Sequence, residues 1–249
     1  MAKETGPPGN TKEMPKSPPA FGSKGSDGKV AKRAFQVFFG LFLMAAAFFI
    51  AAGRLDIPRA WLYYGMMVIY VVSNFFIFMR YSPDIIRERS EIKFGAKSWD
   101  KAFAIGYTLA VLAIQAVAGL DMGRFAWSEL GFEFEVLGIV LFTIGASITC
   151  WAMVVNKFFE TTVTIVKGHQ VVSGGPYAYI RHPGYAGMIL TYCSAPLVIG
   201  SAVSLIPAAI LAILFIGRTY MEDKTLQEEL DGYKEYTRKV KYKLVPFVW

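Results

Sequence analysis

Long apolar blocks separated by short polar stretches dominate the sequence. Six blocks are present, over about residues 34–52, 60–79, 102–120, 134–155, 185–200 and 202–220. An α-helix needs about 20 apolar residues to cross a bilayer, and the first four blocks meet that length. The last two are joined by little more than Ser201, which predicts an antiparallel helical hairpin. The pattern predicts an all-α fold: a polytopic membrane helical bundle of about six spans that closes with this short hairpin.

The polar segments at the two ends of the chain differ from each other. Residues 1–32 are rich in Pro, Gly, Ser and Lys, which predicts a disordered tail. After the last block, apolar side chains recur at roughly helical spacing, at Leu230, Tyr233, Tyr236, Val240 and Tyr242. This spacing predicts an amphipathic helix that rests on the bundle or on the membrane interface. We therefore divide the chain into a tail (1–32), N-terminal membrane helices (33–155) and a C-terminal region (156–249).

Composition and charge fit a membrane protein. Only 18% of residues are charged, against about 25% in soluble domains, and the net charge is +7. The basic residues flank the apolar blocks, where lipid headgroups explain them better than nucleic acid does. Of 26 Lys and Arg residues, 23 fall on one side of the predicted topology and 3 on the other. The positive-inside rule then places both termini in the cytoplasm.

The cysteines carry no predicted chemistry. Cys150 and Cys193 both lie deep within apolar blocks, and no further thiols or paired histidines stand near them. We therefore expect neither a disulfide framework nor a metal site.

The first segment with candidate chemistry is residues 174–187, Gly-Gly-Pro-Tyr-Ala-Tyr-Ile-Arg-His-Pro-Gly-Tyr-Ala-Gly. Pro183 fits the first turn of a helix, whose N-terminus would face the residues around Arg181. Together they predict an anion site suited to a carboxylate. Gly184 and Gly187 leave room for a close ligand or a close helix. The alternative is that Arg181 anchors a helix end to headgroups and His182 is an interfacial residue.

The second segment is residues 218–226, where the last span leaves the membrane. Arg218 and Glu222 are four residues apart, so they can pair on one helix face. Glu222 and Asp223 are adjacent acids at a membrane exit, where a cationic ligand would stabilise them. An ordinary solvated helix turn is the alternative.

These segments together carry a resemblance. Gly-Pro-Tyr-x-Tyr-x-Arg-His-Pro-x-Tyr-x-Gly, a hairpin, then Arg-x-x-x-Glu-Asp-x-x-Leu and Gly-Tyr-x-x-Tyr resemble the isoprenylcysteine carboxyl methyltransferase family. That family belongs to a wider group of membrane methyltransferases that includes the phospholipid N-methyltransferases. The resemblance covers about Gly174 to the C-terminus. A weaker upstream similarity to prokaryotic members lies in residues 83–89 and in Trp99-Asp100.

The resemblance implies S-adenosylmethionine as cofactor, without a metal, and it implies which residues form the site. Arg181, His182 and Glu222 are the implied catalytic residues. The implied cofactor-binding residues are Tyr177, Arg181, His182, Pro183, Tyr185, Gly187, Glu222 and Asp223. The family usually has two glutamates where this chain has Glu222 and Asp223. The shorter Asp223 would reach the cofactor only through water, which leaves its direct contact open.

The chemistry of the ligand fits these residues. Its carboxylate suits Arg181 and a helix N-terminus, its ammonium and ribose hydroxyls suit Glu222 or Asp223, and its adenine suits a tyrosine face. The acceptor could be a prenylcysteine carboxylate, a phospholipid amine or a small thiol. A carboxylate needs no general base, whereas an amine or thiol must lose a proton, for which His182 is the candidate.

Two other functions are compatible with the sequence. The C-terminal architecture also resembles membrane sterol reductases, which use NADPH, although no added phosphate-binding cluster is evident. A transporter or assembly protein would place polar residues inside several spans, whereas here they gather at the span ends. The expected partners are membrane lipids and a lipophilic or small acceptor, with no nucleic acid; the oligomeric state is open.

Overall fold

The computed structural model describes residues 24–81, 97–159, 163, 165 and 168–249, and these residues contain helices but no β-strand. The α-helices are α1 (Lys24–Ala52), α2 (Pro58–Tyr81), α3 (Ser98–Leu120), α4 (Phe132–Val155), α5 (Pro183–Cys193), α6 (Ala195–Ile199), α7 (Leu205–Glu229) and α8 (Tyr233–Lys239). A π-helical turn, Asp121–Phe125, extends α3, and a 3-10 turn, Gly175–Ala178, precedes α5. The predicted all-α fold is confirmed.

Within the described residues, five helices are long and apolar enough to cross a membrane: Val30–Ala52, Pro58–Tyr81, Ser98–Phe125, Phe132–Val155 and Leu205–Glu229. They correspond to the first four predicted spans and the last one. The fifth predicted span is a shorter apolar stretch, Pro183–Ile199, made of α5 and α6. The α5–α7 hairpin is present, with the rings of Tyr185 and Phe215 in contact across it at 5.6 Å between centroids.

The start of the first helix differs from the sequence prediction. Helix α1 begins at Lys24, whereas the predicted disordered tail ran to residue 32. Val30 packs beside the cluster of Phe78 and Met153, so this part of the helix gains tertiary contacts. Extending a helix that is already nucleated costs little free energy, which accounts for the earlier start. Residues 1–23 lie outside the described part of the chain, and disorder there stays a prediction.

Helices α1–α7 share one apolar core that runs through the bundle. Small residues set its closest contacts: a Cβ on Gly119 of α3 would lie 2.2 Å from the carbonyl oxygen of Phe48 in α1. In lipid, helices associate through such close packing because burial of apolar surface from water is not available there.

Polar side chains close the end of the bundle where α2 and α7 begin, which we call the far end. Arg59 donates hydrogen bonds to the carbonyl oxygens of Val198 and Leu197, both at 2.9 Å, and so caps α6. Asp121 accepts a hydrogen bond from Ser201 Oγ at 2.6 Å in the turn before α7. The far end is therefore held by internal pairs. The opposite end, where α4 and α7 finish and α3 and α5 begin, is the site end.

Helix α8 packs on the protein. Leu230, Tyr233, Tyr236 and Val240 form a buried cluster with side chains that include Val171 from the segment before α5. The sequence predicts that this amphipathic element rests either on the bundle or on the membrane interface. In the structure it packs on the bundle. The helix itself is shorter than the predicted pattern, because it ends at Lys239 and the chain continues into an extended segment.

Candidate functional site

A pocket opens at the site end of the bundle, between the segment that follows α4, the start of α5, the end of α7 and α8. Its walls combine aromatic, aliphatic and ionisable side chains. They are Asn156, Phe158, Phe159, Val163, His169, Gln170, Val171, Val172, Tyr177, Arg181, His182, Tyr185, Glu222, Leu226, Leu230, Tyr233 and Tyr236.

The start of α5 is positioned by the C-terminal segment. Pro183 occupies the first turn of α5, where its missing N–H leaves nothing unsatisfied, and His182 is the N-cap residue. The backbone N–H groups of Arg181 and His182 donate to the carbonyl oxygens of Tyr242 and Lys243, both at 2.9 Å. Residues close to the end of the chain therefore fix the backbone from which both motif side chains project.

Arg181 is engaged by the protein itself. Its Nε and Nη2 donate to Asp223 Oδ1 and Oδ2 at 2.8 and 3.1 Å, a bidentate pair. Its Nη1 donates to the carbonyl oxygens of Val240 and Lys241 at 3.0 and 3.1 Å. The guanidinium thus ties the start of α5 to α7 and to the C-terminal segment, and little of its donor capacity remains for a ligand.

Asp223 is the hub of this arrangement. Besides Arg181, its carboxylate accepts hydrogen bonds from the Tyr233 hydroxyl at 3.1 Å and from Gln227 Nε2 at 2.8 Å, and His182 Nε2 lies 3.4 Å away. Burial raises the pKa of the Tyr233 hydroxyl, and the nearby charge of Asp223 raises it further, so Tyr233 stays protonated and can donate. Asp223 is 2% exposed and faces these donors behind the pocket wall.

Glu222 faces the pocket. Tyr185 donates its hydroxyl hydrogen to Glu222 Oε2, and Arg218 Nε donates to the Tyr185 oxygen at 2.7 Å. Arg218 Nε also lies 3.9 Å from Glu222 Oε2, which confirms the pair predicted from their spacing. The other oxygen, Oε1, lies 3.9 Å from His182 Nδ1. Glu222 is therefore a partly accessible carboxylate held by a buried arginine and tyrosine.

A buried ion pair supports this side of the site. Arg218 Nη1 contacts Asp100 Oδ1 at the start of α3, and both side chains are nearly inaccessible. The other oxygen of Asp100 accepts the backbone N–H of Val163 at 3.0 Å, so Asp100 also holds the pocket wall. The guanidinium lies 4.4 Å from the centre of the Phe103 ring. Arg218 thereby connects α3 to Tyr185 and Glu222.

The structure brings five of the eight predicted cofactor-binding residues to the pocket wall: Tyr177, Arg181, His182, Tyr185 and Glu222. Pro183, Gly187 and Asp223 do not line the pocket as described. Gly187 faces α4, where an added Cβ would lie 2.4 Å from Thr149 Oγ1 and 2.6 Å from the Gly145 carbonyl oxygen. At Gly184, an added Cβ would instead lie 2.3 Å from Cε2 of the Phe159 ring. Helix α4 thus occupies the space beside Gly187, and the Phe159 ring occupies the space beside Gly184.

Sequence reasoning missed several pocket residues. The chain has two histidines, and both His169 and His182 line the pocket, so the scarcity of histidine was an available signal for His169. The His169 ring stacks on Phe158 with centroids 4.3 Å apart. In the sequence, Asp100 stands out only within the weak upstream similarity. Residues 83–89 of that similarity lie outside the described residues.

Metal-ligating groups do not cluster in the described part of the chain: no three His, Cys, Asp or Glu residues there are placed to hold an ion. Cys150 and Cys193 are both free and partly buried.

Comparisons with known proteins match this region of the chain. The model of the isoprenylcysteine carboxyl methyltransferase (ICMT) family matches residues 136–228. The match begins within α4, so it includes a membrane helix upstream of the predicted boundary at residue 156. The chain is also 24% identical over 170 residues to the uncharacterized protein YpbQ of Bacillus subtilis (strain 168), an alignment that covers 68% of this chain and 96% of that protein.

Proposed function

We propose that this membrane protein transfers a methyl group from S-adenosylmethionine to a lipophilic or small acceptor. The match of residues 136–228 to the model of the isoprenylcysteine carboxyl methyltransferase family supports this reaction. One observation carries the proposal. At the site end of the bundle, the carboxylate of Glu222 stands in a pocket with aromatic walls, beside the first turn of α5. This combination of groups matches the separate parts of the cofactor.

The residues fit the ligand part by part. Glu222 would receive the ammonium group or the ribose hydroxyls, because its Oε1 is not held by Tyr185. The rings of Phe158, Tyr177 and Tyr236 offer faces or edges for the adenine. The carboxylate would lie toward the N-terminus of α5, where the positive end of the helix dipole favours an anion.

We assign Arg181 a positioning role, which modifies what the resemblance implies. Its guanidinium is paired with Asp223 and with two carbonyl oxygens, and its positive charge is largely neutralised there. Asp223 would likewise act through Arg181, Tyr233 and His182. The direct contacts to the cofactor then fall to Glu222, Tyr177, Tyr185 and His182.

The bound cofactor supplies an activated methyl group: the bond from sulfur to methyl breaks as the acceptor forms its own bond to that carbon, and the sulfonium charge disappears. Positioning and exclusion of water supply much of the acceleration in such a displacement. In this chain, Tyr185 and Arg218 hold Glu222, and the buried Asp100 holds Arg218. The position of Glu222 in the pocket wall is therefore set by contacts within the protein.

The acceptor is proposed as prenylcysteine carboxylate-like because of the family resemblance. A carboxylate acceptor is already ionised, so it needs no proton transfer to His182. A phospholipid amine or a small thiol would need His182 as base, and Asp223 Oδ1, 3.4 Å from Nε2, orients that imidazole. Methyl transfer to each of the three acceptor classes, measured with radiolabelled donor and the protein in lipid nanodiscs, distinguishes them.

Calorimetry tests the proposed cofactor. The detergent-purified protein is titrated with S-adenosylhomocysteine and, separately, with NADPH. We expect saturable heat with the first ligand and none with the second. Binding of NADPH alone would favour a membrane reductase of the sterol-reductase type. Binding of neither, by a protein that unfolds cooperatively, would favour a transporter or assembly protein and contradict the proposal.

A further inference from the structure

The C-terminal loop, residues 245–248, presents apolar side chains outward at the site end. The sequence is Val-Pro-Phe-Val, and the exposed fractions of Val245, Phe247 and Val248 are 51%, 87% and 78%. Exposed single apolar residues are common, but three in four consecutive positions form a concentrated apolar tip.

The loop is a fixed turn. The main-chain oxygen of Trp249 accepts hydrogen bonds from the N–H groups of Lys243, Leu244 and Val245 at 2.8, 3.0 and 3.2 Å. Trp249 in turn donates its N–H to the Val245 carbonyl at 3.1 Å. Phe247 sits at a φ of +64°, in the left-handed region that favours glycine. The Phe247 ring touches the protein at the Tyr242 ring, with centroids 5.2 Å apart, and most of its surface stays exposed. The turn therefore holds a strained, bulky aromatic residue largely outside the packed core, an arrangement that water would not favour.

Both ends of the loop are attached to the membrane-spanning core. Leu244 is buried in the main apolar core, and Trp249 packs against the same core. Lys243 Nζ lies over the rings of Trp249 and Tyr220, at 4.4 and 5.2 Å, and Tyr220 belongs to the long apolar helix α7. The apolar tip is thus attached next to Tyr220, in the C-terminal half of α7.

We propose that the C-terminal loop inserts into the membrane leaflet at the site end and anchors the C-terminal segment to the bilayer. Lipid is the occupant that this position favours, because the loop continues directly from the core that crosses the membrane. Exposed Lys239 and Lys241 precede the loop and would meet anionic headgroups. Aromatic and aliphatic side chains beside lysines are typical of elements that lie in the membrane interface.

The anchor has a consequence for the site. The segment that ends in the loop supplies the carbonyl oxygens of Tyr242 and Lys243 to the backbone of Arg181 and His182. Lipid contact at the loop would therefore stabilise the position of this segment, which in turn holds the backbone of Arg181 and His182 at the pocket. Membrane contact of the loop is independent of which reaction the pocket catalyses.

Depth measurements in nanodiscs test the proposal. In the full chain with Cys150→Ala and Cys193→Ala, single cysteines replace Phe247, Val248 or Asp231, an exposed residue of the turn between α7 and α8. Each cysteine carries an NBD fluorophore, in discs that hold one protein each, with and without phosphatidylserine. We expect labels at 247 and 248 to emit at shorter wavelength, to be quenched by lipids brominated near the headgroup and to resist aqueous iodide. The label at 231 should show the opposite behaviour.

Iodide quenching at 247 and 248 as strong as at 231 would overturn the proposal. The two loop positions guard against a local effect of either substitution, since both side chains are mostly exposed. Protection that appears only in concentrated detergent solution, and not in single-protein discs, would identify a second copy as the occupant and would also overturn it. Stronger protection with phosphatidylserine would support the contribution of Lys239 and Lys241.

Discussion

Arg181 and Asp223 form a bidentate ion pair with Nε–Oδ1 and Nη2–Oδ2 distances of 2.8 and 3.1 Å, and both side chains are buried. The pair joins the start of α5 to α7. Removing one partner leaves the other charge buried without the ion pair that offsets its desolvation cost. The stability of the fold should therefore be sensitive to substitution of either residue.

Replacing Asp223 with Asn should destabilise the fold. Arg181 would lose its counter-charge while buried, which costs about 3–5 kcal/mol. Thermal unfolding of the detergent-purified protein measures the loss. Glu228→Gln is the matched control, because Glu228 pairs with Lys224 at 3.9 Å on the exposed side of α7, where a pair contributes about 0.2–1 kcal/mol. Equal stability of the two variants would contradict the central role of Asp223.

Replacing Arg181 with Lys should preserve the charge opposite Asp223 but release the C-terminal segment. An ammonium cannot reproduce the planar fork that reaches Asp223 and the carbonyl oxygens of Val240 and Lys241 together. We expect faster amide hydrogen exchange over residues 240–249, with α3 and α4 unchanged. Unaltered exchange in that segment would show that the backbone bonds of Arg181 and His182 suffice to hold it.

Replacing Glu222 with Gln should weaken binding of S-adenosylhomocysteine with little loss of stability. Glu222 is the carboxylate that faces the pocket, and a hydrogen bond to a charged group contributes about 1.5–3 kcal/mol, or roughly 10- to 150-fold in affinity. Titration calorimetry measures the change, again with Glu228→Gln as control. An affinity equal to that of the parent would remove Glu222 from the proposed site.

The long spans and part of the pocket could be predicted from sequence because each depends on local information. Hydropathy over some 20 residues identifies a span, and the motifs around His182 and Glu222 carry their own spacing. The pairing of Asp100 with Arg218 could not be predicted in this way, since the residues are 118 positions apart and only helix packing brings them together.

Sequence alone likewise does not determine what each residue of a motif contacts. An arginine and a glycine near a helix N-terminus are equally compatible with ligand contacts and with internal contacts. The packing of the folded protein distinguishes ligand contacts from internal contacts. Arg181 pairs with Asp223, and Gly187 allows α4 to pack closely. The broken fifth span is a different case, because the sequence contains the signal for its division: Pro196 lies in the first turn of α6, next to the turn at Ser194.

Replacing Gly187 with Ala should destabilise the bundle. The new Cβ would lie 2.4 Å from Thr149 Oγ1 and 2.6 Å from the Gly145 carbonyl oxygen, and backbone cannot give way cheaply. Overpacking of this kind costs about 1–3 kcal/mol. Gly217→Ala in α7 is the control, since nothing lies within 4 Å of its added Cβ and alanine favours a helix. A thermal midpoint of Gly187→Ala at or above that of Gly217→Ala would contradict the close α4–α5 contact.

The site end should face the cytoplasm. Positively charged residues resist translocation, and 23 of the 26 Lys and Arg residues lie on the predicted cytoplasmic side. Glu129 near the far end and Asp231 at the site end are both exposed, whereas Ser128 is partly buried against Asp121 and would label poorly. With Cys150 and Cys193 replaced by alanine, a membrane-impermeant maleimide should label Glu129→Cys on intact cells. It should reach Asp231→Cys only after permeabilisation. Labelling of Asp231→Cys alone on intact cells would invert the topology and place the pocket outside.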